Sequence, residues 1–536
     1  MATPRISVIG AGLGGLTAAA DLARRGAEVT VFEKAPAAGG KMREVTVGGQ
    51  PIDAGPTVFT MRWIFEGLFA DAGAHLEDYL TLTRATTLAR HAWPDGGQLD
   101  LFADTARSAD AIGAFAGAEE ARGYLTFCAR SADVYRTLAP TFIAAERPSP
   151  VELVRRVGFS NIDAMWRTAP YATYWAALGR HFRDPRLRQL FGRYATYCGS
   201  SPWQAPATLM LVAHVEQDGV WLVDGGMRRI AEAIQALGEK SGAVFRFGHA
   251  VDRVLVRGGR VGGVRLTTGE EHAADAVVFN GDVSALPAGM LGEDVRGAAT
   301  ATRPHNRSLS AITWCMMAAT RGFPLLRHNV FFGTDYADEF SAIFDRRTLT
   351  EAPTVYVCAQ DREAGTAVAE GQKERMLILI NAPADGDATQ APARWKTSVL
   401  RQRVAALLGT CGLYIDEAGE SSVITTPDDF AALFPGSGGA LYGRASHGAQ
   451  ATFARPGSVS KIPGLYFAGG SVHPGPGIPM AAMSGRIAAA RVLDDLANPE
   501  RWRRRAVRVD CPTTEAAPQS AAEGGGRRDN LIENLR

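Results

Sequence analysis

The stretch ISVIGAGLGGLTAAADLARRGAEVTVFE near the amino end constrains the fold more than any other part of the chain. Arg5 to Ile9 reads as a short β-branched strand, GAGLGG at Gly10 to Gly15 as a loop, Leu16 to Arg25 as a helix and Glu28 to Phe32 as a second strand. Gly10 allows a tight turn, Gly12 lets a pyrophosphate approach the backbone, and Gly15 permits close helix-to-strand packing, with Gly14 in the same loop. The helix N-terminus then faces the phosphates. Glu33 lies 18 residues beyond Gly15, placed to accept hydrogen bonds from ribose hydroxyls, with Lys34 beside it. An acid there disfavours a 2′-phosphate. GxGxxG alone is a weak signal in a chain with 59 glycines among 536 residues; the strand, loop, helix, strand and Glu together predict a dinucleotide site.

The following segment, AAGGKMREVTVGGQPIDAGPTVF, supplies Gly39, Gly40, Lys41 and Arg43, then Asp53, Gly55, Pro56 and Thr57, a strip along which a flavin dinucleotide can extend. An ordinary hairpin with a glycine turn explains Gly48 and Gly49 but not the whole spacing. At the other end, GLYFAGGSVHPGPGIPMAAMSGRIAAA over 464–490 repeats the logic of a strand, a Gly/Pro loop and a helix terminus aimed at a ligand.

Composition removes several classes. Lys plus Arg total 57 against 56 for Asp plus Glu, so no global field steers nucleic acid. The six cysteines are scattered without a ligand-like cluster, which predicts a reducing compartment and no metal. GxSxG, HExxH and P-loop motifs are missing. The first residues enter a strand pattern without a secretory succession, and the longest uncharged apolar-leaning run, Ser308 to Thr320, is short of a bilayer span. The expectation is a cytoplasmic protein that touches a membrane without crossing it, and the resemblance described next implies a place peripheral to the inner or photosynthetic membrane.

GAGLGG with Glu33, GGK, the DAGP segment and the carboxy-terminal loop-helix resemble the flavin-containing carotenoid desaturases, whose bacterial phytoene desaturase branch shares this layout. Further landmarks are GVWLVDGGMRRIAEAI over 219–234, the strand around Val251 and DAVVFNGD over 275–282, so the likeness covers most of 1–495. HPGPGIPMAAMSGR is closer to the 1-hydroxycarotenoid 3,4-desaturases than to typical phytoene desaturases. The resemblance implies an α/β fold: a Rossmann-type FAD-binding domain of the amine oxidase/phytoene desaturase kind with an inserted α+β substrate domain. It implies FAD, its ADP half on the amino-terminal loop, its isoalloxazine and ribityl chain by Gly469, Gly470, Ser471, Pro479, Met480 and Ala481, and Val251 as a further cofactor-binding residue. The partner it implies is a lipid-soluble carotenoid, whose 3,4 bond is desaturated; the electron acceptor stays open. Competing readings are a phytoene desaturase, a flavin amine oxidase and a non-enzymatic carotenoid carrier.

Cofactor segments at both ends predict a discontinuous FAD domain from 1–90, 220–295 and 440–495, with 91–219 and 296–439 facing substrate or membrane and a disordered tail over 503–536. Region 150–215 is rich in aromatics with interspersed arginines, among them Trp166, Arg167, Tyr194, Tyr197 and Arg193, and reads as a bilayer-facing entry or as helical core. Trp314, Met316, Met317, Phe323, Phe331 and Phe332 read as a tunnel lining or as core, with Trp314 the candidate substrate contact. Glu152 and Arg155 lie three apart, on one helix face, and are the catalytic candidates; a surface ion pair is the alternative. His473 is expected to line the site. The basic cluster after Arg501 reads as a solvated tail or an anionic-lipid contact.

Overall fold

The computed structural model describes residues 3–158, 171–362, 368–369, 371–388, 395–416 and 422–498. Trp166, Arg167 and the basic tail lie outside them. A parallel five-stranded sheet gathers Leu465–Phe467, Ala276–Phe279, Arg5–Ile9, Glu28–Glu33 and Val244–Phe247, in that spatial order. Strand alternation gives it two apolar faces, as parallel sheets require. Ile6, Val8, Val29 and Val31 pack towards the helices Leu13–Arg24, Arg228–Lys240 and Ile478–Ala497, whereas Ile9, Phe32, Val277 and Phe279 pack towards an antiparallel sheet of Val251–Arg257, Arg260–Leu266 and Glu271–Ala273. This is the Rossmann-type α/β unit.

Small residues bring its first and last helices together. Ala18, Ala19 and Ala20 are buried, and a Cβ on Gly485 would stand 2.3 Å from the Gly14 carbonyl oxygen. The helices Leu13–Arg24 and Ile478–Ala497 therefore meet backbone to backbone.

A second sheet has eight strands among the described residues. Ser310–Gly322, Glu374–Ala382, Val355–Ala359, His328–Phe331, Thr87–Ala92 and Gln98–Phe102 follow one another in it. The predicted boundary at 90 cuts through Thr87–Ala92, which belongs wholly to this sheet. Register places Thr313 opposite Leu379, Leu379 opposite Tyr356, Tyr356 opposite Val330 and Val330 opposite His91, so these side chains share one face. Ile312, Trp314 and Met316 occupy the other face, under the helix Thr397–Thr410. A helical layer, including Ala118–Leu138, Pro185–Gly192 and Leu211–Asp218, packs its aromatics over 87–102 and around Val330 and Phe332. No helix among the described residues is long and apolar enough to cross a membrane.

Candidate active site

A cavity of about 1440 Å³ runs from the glycine loop to the floor formed by the second sheet. At its first end, Gly10, Gly12 and Gly14 line the wall, while Gly15 is set behind them, its Cβ position 2.1 Å from the Gly10 carbonyl oxygen. Gly10 has φ +96°, a conformation that only glycine adopts freely. The helix Leu13–Arg24 begins at Gly12 with no side-chain cap, leaving first-turn amides for a ligand. Glu33 is buried beside them, its carboxylate accepting from the Ala11 and Ala35 amides at 2.7 and 2.8 Å. Asn280, which sequence reasoning passed over, ties the cradle together: its side chain donates to the Gly10 carbonyl at 3.3 Å and stands 2.7 Å from where Cβ atoms on Gly12 and Gly14 would be.

Lys34, Gly39, Gly40, Lys41, Gly55, Pro56, Thr57 and Val251 line the same cavity, as do Gly469, Gly470, Ser471, Pro479, Met480 and Ala481. Lys41 donates to the Leu441 carbonyl, and burial pushes its ammonium down to about 8 against the pull of Asp282. Arg455, also pushed down by burial, to about 10, donates to the Tyr442 and Gly470 carbonyls. Two cations with depressed proton affinity beside the carboxy-terminal loop favour an electron-rich group there. Asp53, a buried carboxylate raised by that burial, accepts from the Met227 amide at 2.9 Å and braces the strip from behind. The uncapped helix terminus, the glycine cradle that a Cβ would fill, the buried Glu33 on the cavity lining and these cations fit an FAD.

Beyond the strip the cavity is walled by Leu138, Phe142, Ile143, Leu153, Val154, Leu190, Leu209, Val212 and Val215. Tyr171 lines it and is 77% exposed, so the cavity meets the surface there. The far floor is polar, with Thr57, Arg193, Tyr197, Glu216, His328 and Tyr356 on the lining. Tyr197 donates to Glu216 at 2.8 Å, and burial raises the Glu216 carboxyl. Arg193, Tyr197 and Tyr194 thus join the site from the aromatic region, whereas Tyr174 and Phe191 are core.

Four expectations need correction. Glu152 and Arg155 do not pair: Glu152 binds Arg156 at 2.6 Å, and neither Glu152 nor Arg155 lines the cavity, which the helix Pro150–Val157 meets through Pro150, Leu153 and Val154. Trp314 points to the sheet face opposite the cavity because it is one residue out of phase with Thr313, which lines it. Met316, Met317, Phe323, Phe331 and Phe332 are likewise off the lining. His473 is 2% exposed behind the loop; its Nε2 donates to the Phe142 and Ala145 carbonyls, both at 2.9 Å, and burial holds the ring down at about 4. It clamps the loop, while Pro474 reaches the cavity.

The family model for flavin containing amine oxidoreductases matches residues 13–493. Hydroxyneurosporene desaturase of Rubrivivax gelatinosus is 53% identical over 503 residues, 94% of this chain and 95% of that one. The 1-hydroxycarotenoid 3,4-desaturase of Flavobacterium sp. strain P99-3 is 31% identical over 500 residues, 90% of this chain and 97% of the other. Among solved structures, putrescine oxidase bound to putrescine superposes with a TM-score of 0.55 at 15% identity, covering 93% of this chain and all of its own, a likeness of fold.

Proposed function

The chain belongs to the flavin-containing amine oxidoreductase family, and from that premise we propose that it desaturates an acyclic 1-hydroxycarotenoid at C3–C4. It is an FAD-dependent oxidoreductase. The observation that carries the substrate reading is the cavity itself: an apolar channel that leads from the surface at Tyr171 to the cofactor strip and ends on a polar floor. The relatives named for hydroxyneurosporene and 1-hydroxycarotenoid supply the chemistry that suits such a channel. An amine substrate suits it less well, because Leu138, Ile143, Leu153, Val154, Leu190, Leu209, Val212 and Val215 make the walls beyond the strip largely aliphatic.

The glycine loop and Glu33 would hold the ADP half of FAD, with Val251 at the adenine end. Lys41, Gly55 to Thr57, Gly469 to Ser471 and Pro479 to Ala481 would hold the flavin half. Bound FAD supplies a hydride acceptor, so that CH2–CH2 beside a polyene becomes CH=CH on loss of a hydride and a proton. The protein's part is positional. Leu138, Leu153, Val212 and Val215 exclude water and confine a rod-shaped polyene to one axis. The carotenoid reaches the channel from a lipid phase, and Val151, 80% exposed on the helix that contributes Pro150, Leu153 and Val154, presents an apolar contact to that phase.

The test is anaerobic incubation of FAD-loaded protein with 1-hydroxyneurosporene in liposomes, recording flavin absorbance and carotenoid spectrum together. Bleaching with a red-shifted polyene, and a new C3–C4 bond by NMR, is expected. Turnover of phytoene with none of the hydroxylated carotenoid overturns the reading.

A further inference from the structure

The cavity floor carries a polar group that a plain hydrocarbon would leave unmatched. Tyr356 OH lies 2.7 Å from Thr57 Oγ1 and 2.8 Å from His328 Nδ1. His328 is 5% exposed, and its Nε2 has no hydrogen-bond partner. Thr313 Oγ1 and Tyr336 OH, from two other lining residues, are also buried without partners. Arg193 lies over the Tyr356 and Tyr197 rings at 5.4 and 5.3 Å and donates to Tyr197 OH at 3.1 Å. Buried polar atoms are nearly always paired in folded proteins, so several orphans around one cavity point to a ligand that brings the missing partner.

We propose that His328 Nε2, oriented through Tyr356 and Thr57 and flanked by Arg193, receives the tertiary hydroxyl of the substrate; the inference rests on the 1-hydroxycarotenoid reading above. Chain chemistry supports the placement. In such a carotenoid one methylene separates the hydroxyl-bearing carbon from C3, so whatever holds the hydroxyl must stand beside the reacting carbons. Thr57 belongs to the Gly55–Thr57 segment of the cofactor strip and is bonded directly to Tyr356, which puts the cluster next to that strip. The register of the second sheet does the rest, setting Tyr356 and Leu379 side by side on the cavity face.

The bonding also matches. A neutral imidazole offers one donor and one acceptor, and a tertiary alcohol can meet either. Burial first, then repulsion from Arg327 and Arg193, pushes His328 down to about 3, so the ring is neutral at working pH. When Tyr356 donates to Nδ1, Nε2 carries the proton and donates to the substrate oxygen; in the opposite tautomer Nε2 accepts from the hydroxyl. Residues Thr57 and Tyr356 act as positioning groups in both cases.

The experiment compares the FAD-loaded wild type with His328→Leu and with the near-isosteric Tyr356→Phe. Dissociation constants for 1-hydroxyneurosporene and neurosporene in identical liposomes are read by tryptophan quenching, with kcat and KM for desaturation and FAD content as the check on folding. Wild type is expected to prefer the hydroxylated carotenoid by about tenfold or more, as one buried hydrogen bond allows. His328→Leu should bring that ratio close to one through the hydroxylated ligand alone, and Tyr356→Phe should lower it partway with KM moving more than kcat. A merely structural role would weaken both ligands together. Variants that keep FAD and keep the wild-type preference overturn the inference. Wild type that desaturates 1-hydroxyneurosporene but binds neurosporene equally well overturns it while sparing the function, whereas action on phytoene alone removes both.

Discussion

Replacing Gly12 by valine separates cofactor binding from folding. Gly12 has φ −73° and ψ 171°, extended backbone that a β-branched residue adopts without strain. The one close neighbour of an added Cβ is Asn280 Nδ2 at 2.7 Å, the far end of a side chain. Asn280 can turn away at the cost of its 3.3 Å bond to the Gly10 carbonyl, a loss of about 1 kcal/mol. The valine methyl groups enter the space over the first-turn amides, where the pyrophosphate would lie. Losing two charge-assisted bonds there costs ~3–6 kcal/mol, at ~1.5–3 each. FAD affinity should therefore fall by about 10²–10⁴-fold.

The assay is FAD absorbance per protein after purification, an FAD titration of the stripped protein, and melting of both proteins without FAD. Comparing FAD-free forms matters, because a bound cofactor itself raises the melting temperature. The variant should purify almost colourless yet melt within ~1–2 °C of the wild-type protein, the shift expected for about 1 kcal/mol in a chain of this size. Full FAD occupancy would refute the assignment of this loop. A collapse of melting would refute the claim that the cradle is open at Gly12.

Gly485→Ala should do the reverse, because its Cβ meets backbone, the Gly14 oxygen at 2.3 Å and the Ala18 nitrogen at 2.9 Å; a loss of about 1–3 kcal/mol is expected in denaturant melts, and no loss would show that the helices can part. Glu152→Gln should keep desaturation within about threefold, since the side chain is an ion-pair partner of Arg156 off the cavity and half-exposed pairs contribute about 1 kcal/mol or less; a hundredfold fall in kcat would restore it to the chemistry. Burial and then Arg193 hold His91 down at about 3, against an unfolded value near 6.5, so the unfolded chain takes up the proton first and this stability term is lost as pH falls from about 6.5 towards 3. His91→Phe, stacked on Phe332 as the histidine is, should flatten the acid limb of stability by up to about 1.4 kcal/mol per pH unit between pH 6 and 4, and an unchanged limb in urea titrations at several pH values would contradict the shift.

How far the sequence was legible follows from the range of each interaction. Gly10, Gly12 and Glu33 announce themselves because the strand, turn and helix that need them are contiguous, and the loop before Ile478 is readable for the same reason. Trp314 and Thr313 show where that stops. Both sit in one buried strand with apolar neighbours on each side, so period-two alternation gives no phase, and only pairing with Glu374–Ala382 decides which of them faces the cavity. Glu152 fails differently: helical spacing places it near both Arg155 and Arg156, and the i,i+4 partner captured it.

The polar floor was beyond reach of any local pattern. Thr57 and Tyr356 are 299 residues apart, and His328 comes to them across a sheet whose strand order no single segment encodes. The same topology explains why substrate selection and cofactor binding belong to one piece of architecture. The Gly55–Thr57 segment leaves the Rossmann unit and lands on the floor of the second sheet, where Thr57 bonds Tyr356 while Gln360 accepts from the Asp53 amide and donates to its carbonyl, so the proposed end-group site is indexed to the cofactor strip by several side-chain hydrogen bonds. A change of end group in a related enzyme should therefore appear at positions 193, 328 and 356, and leave the glycine cradle as it is.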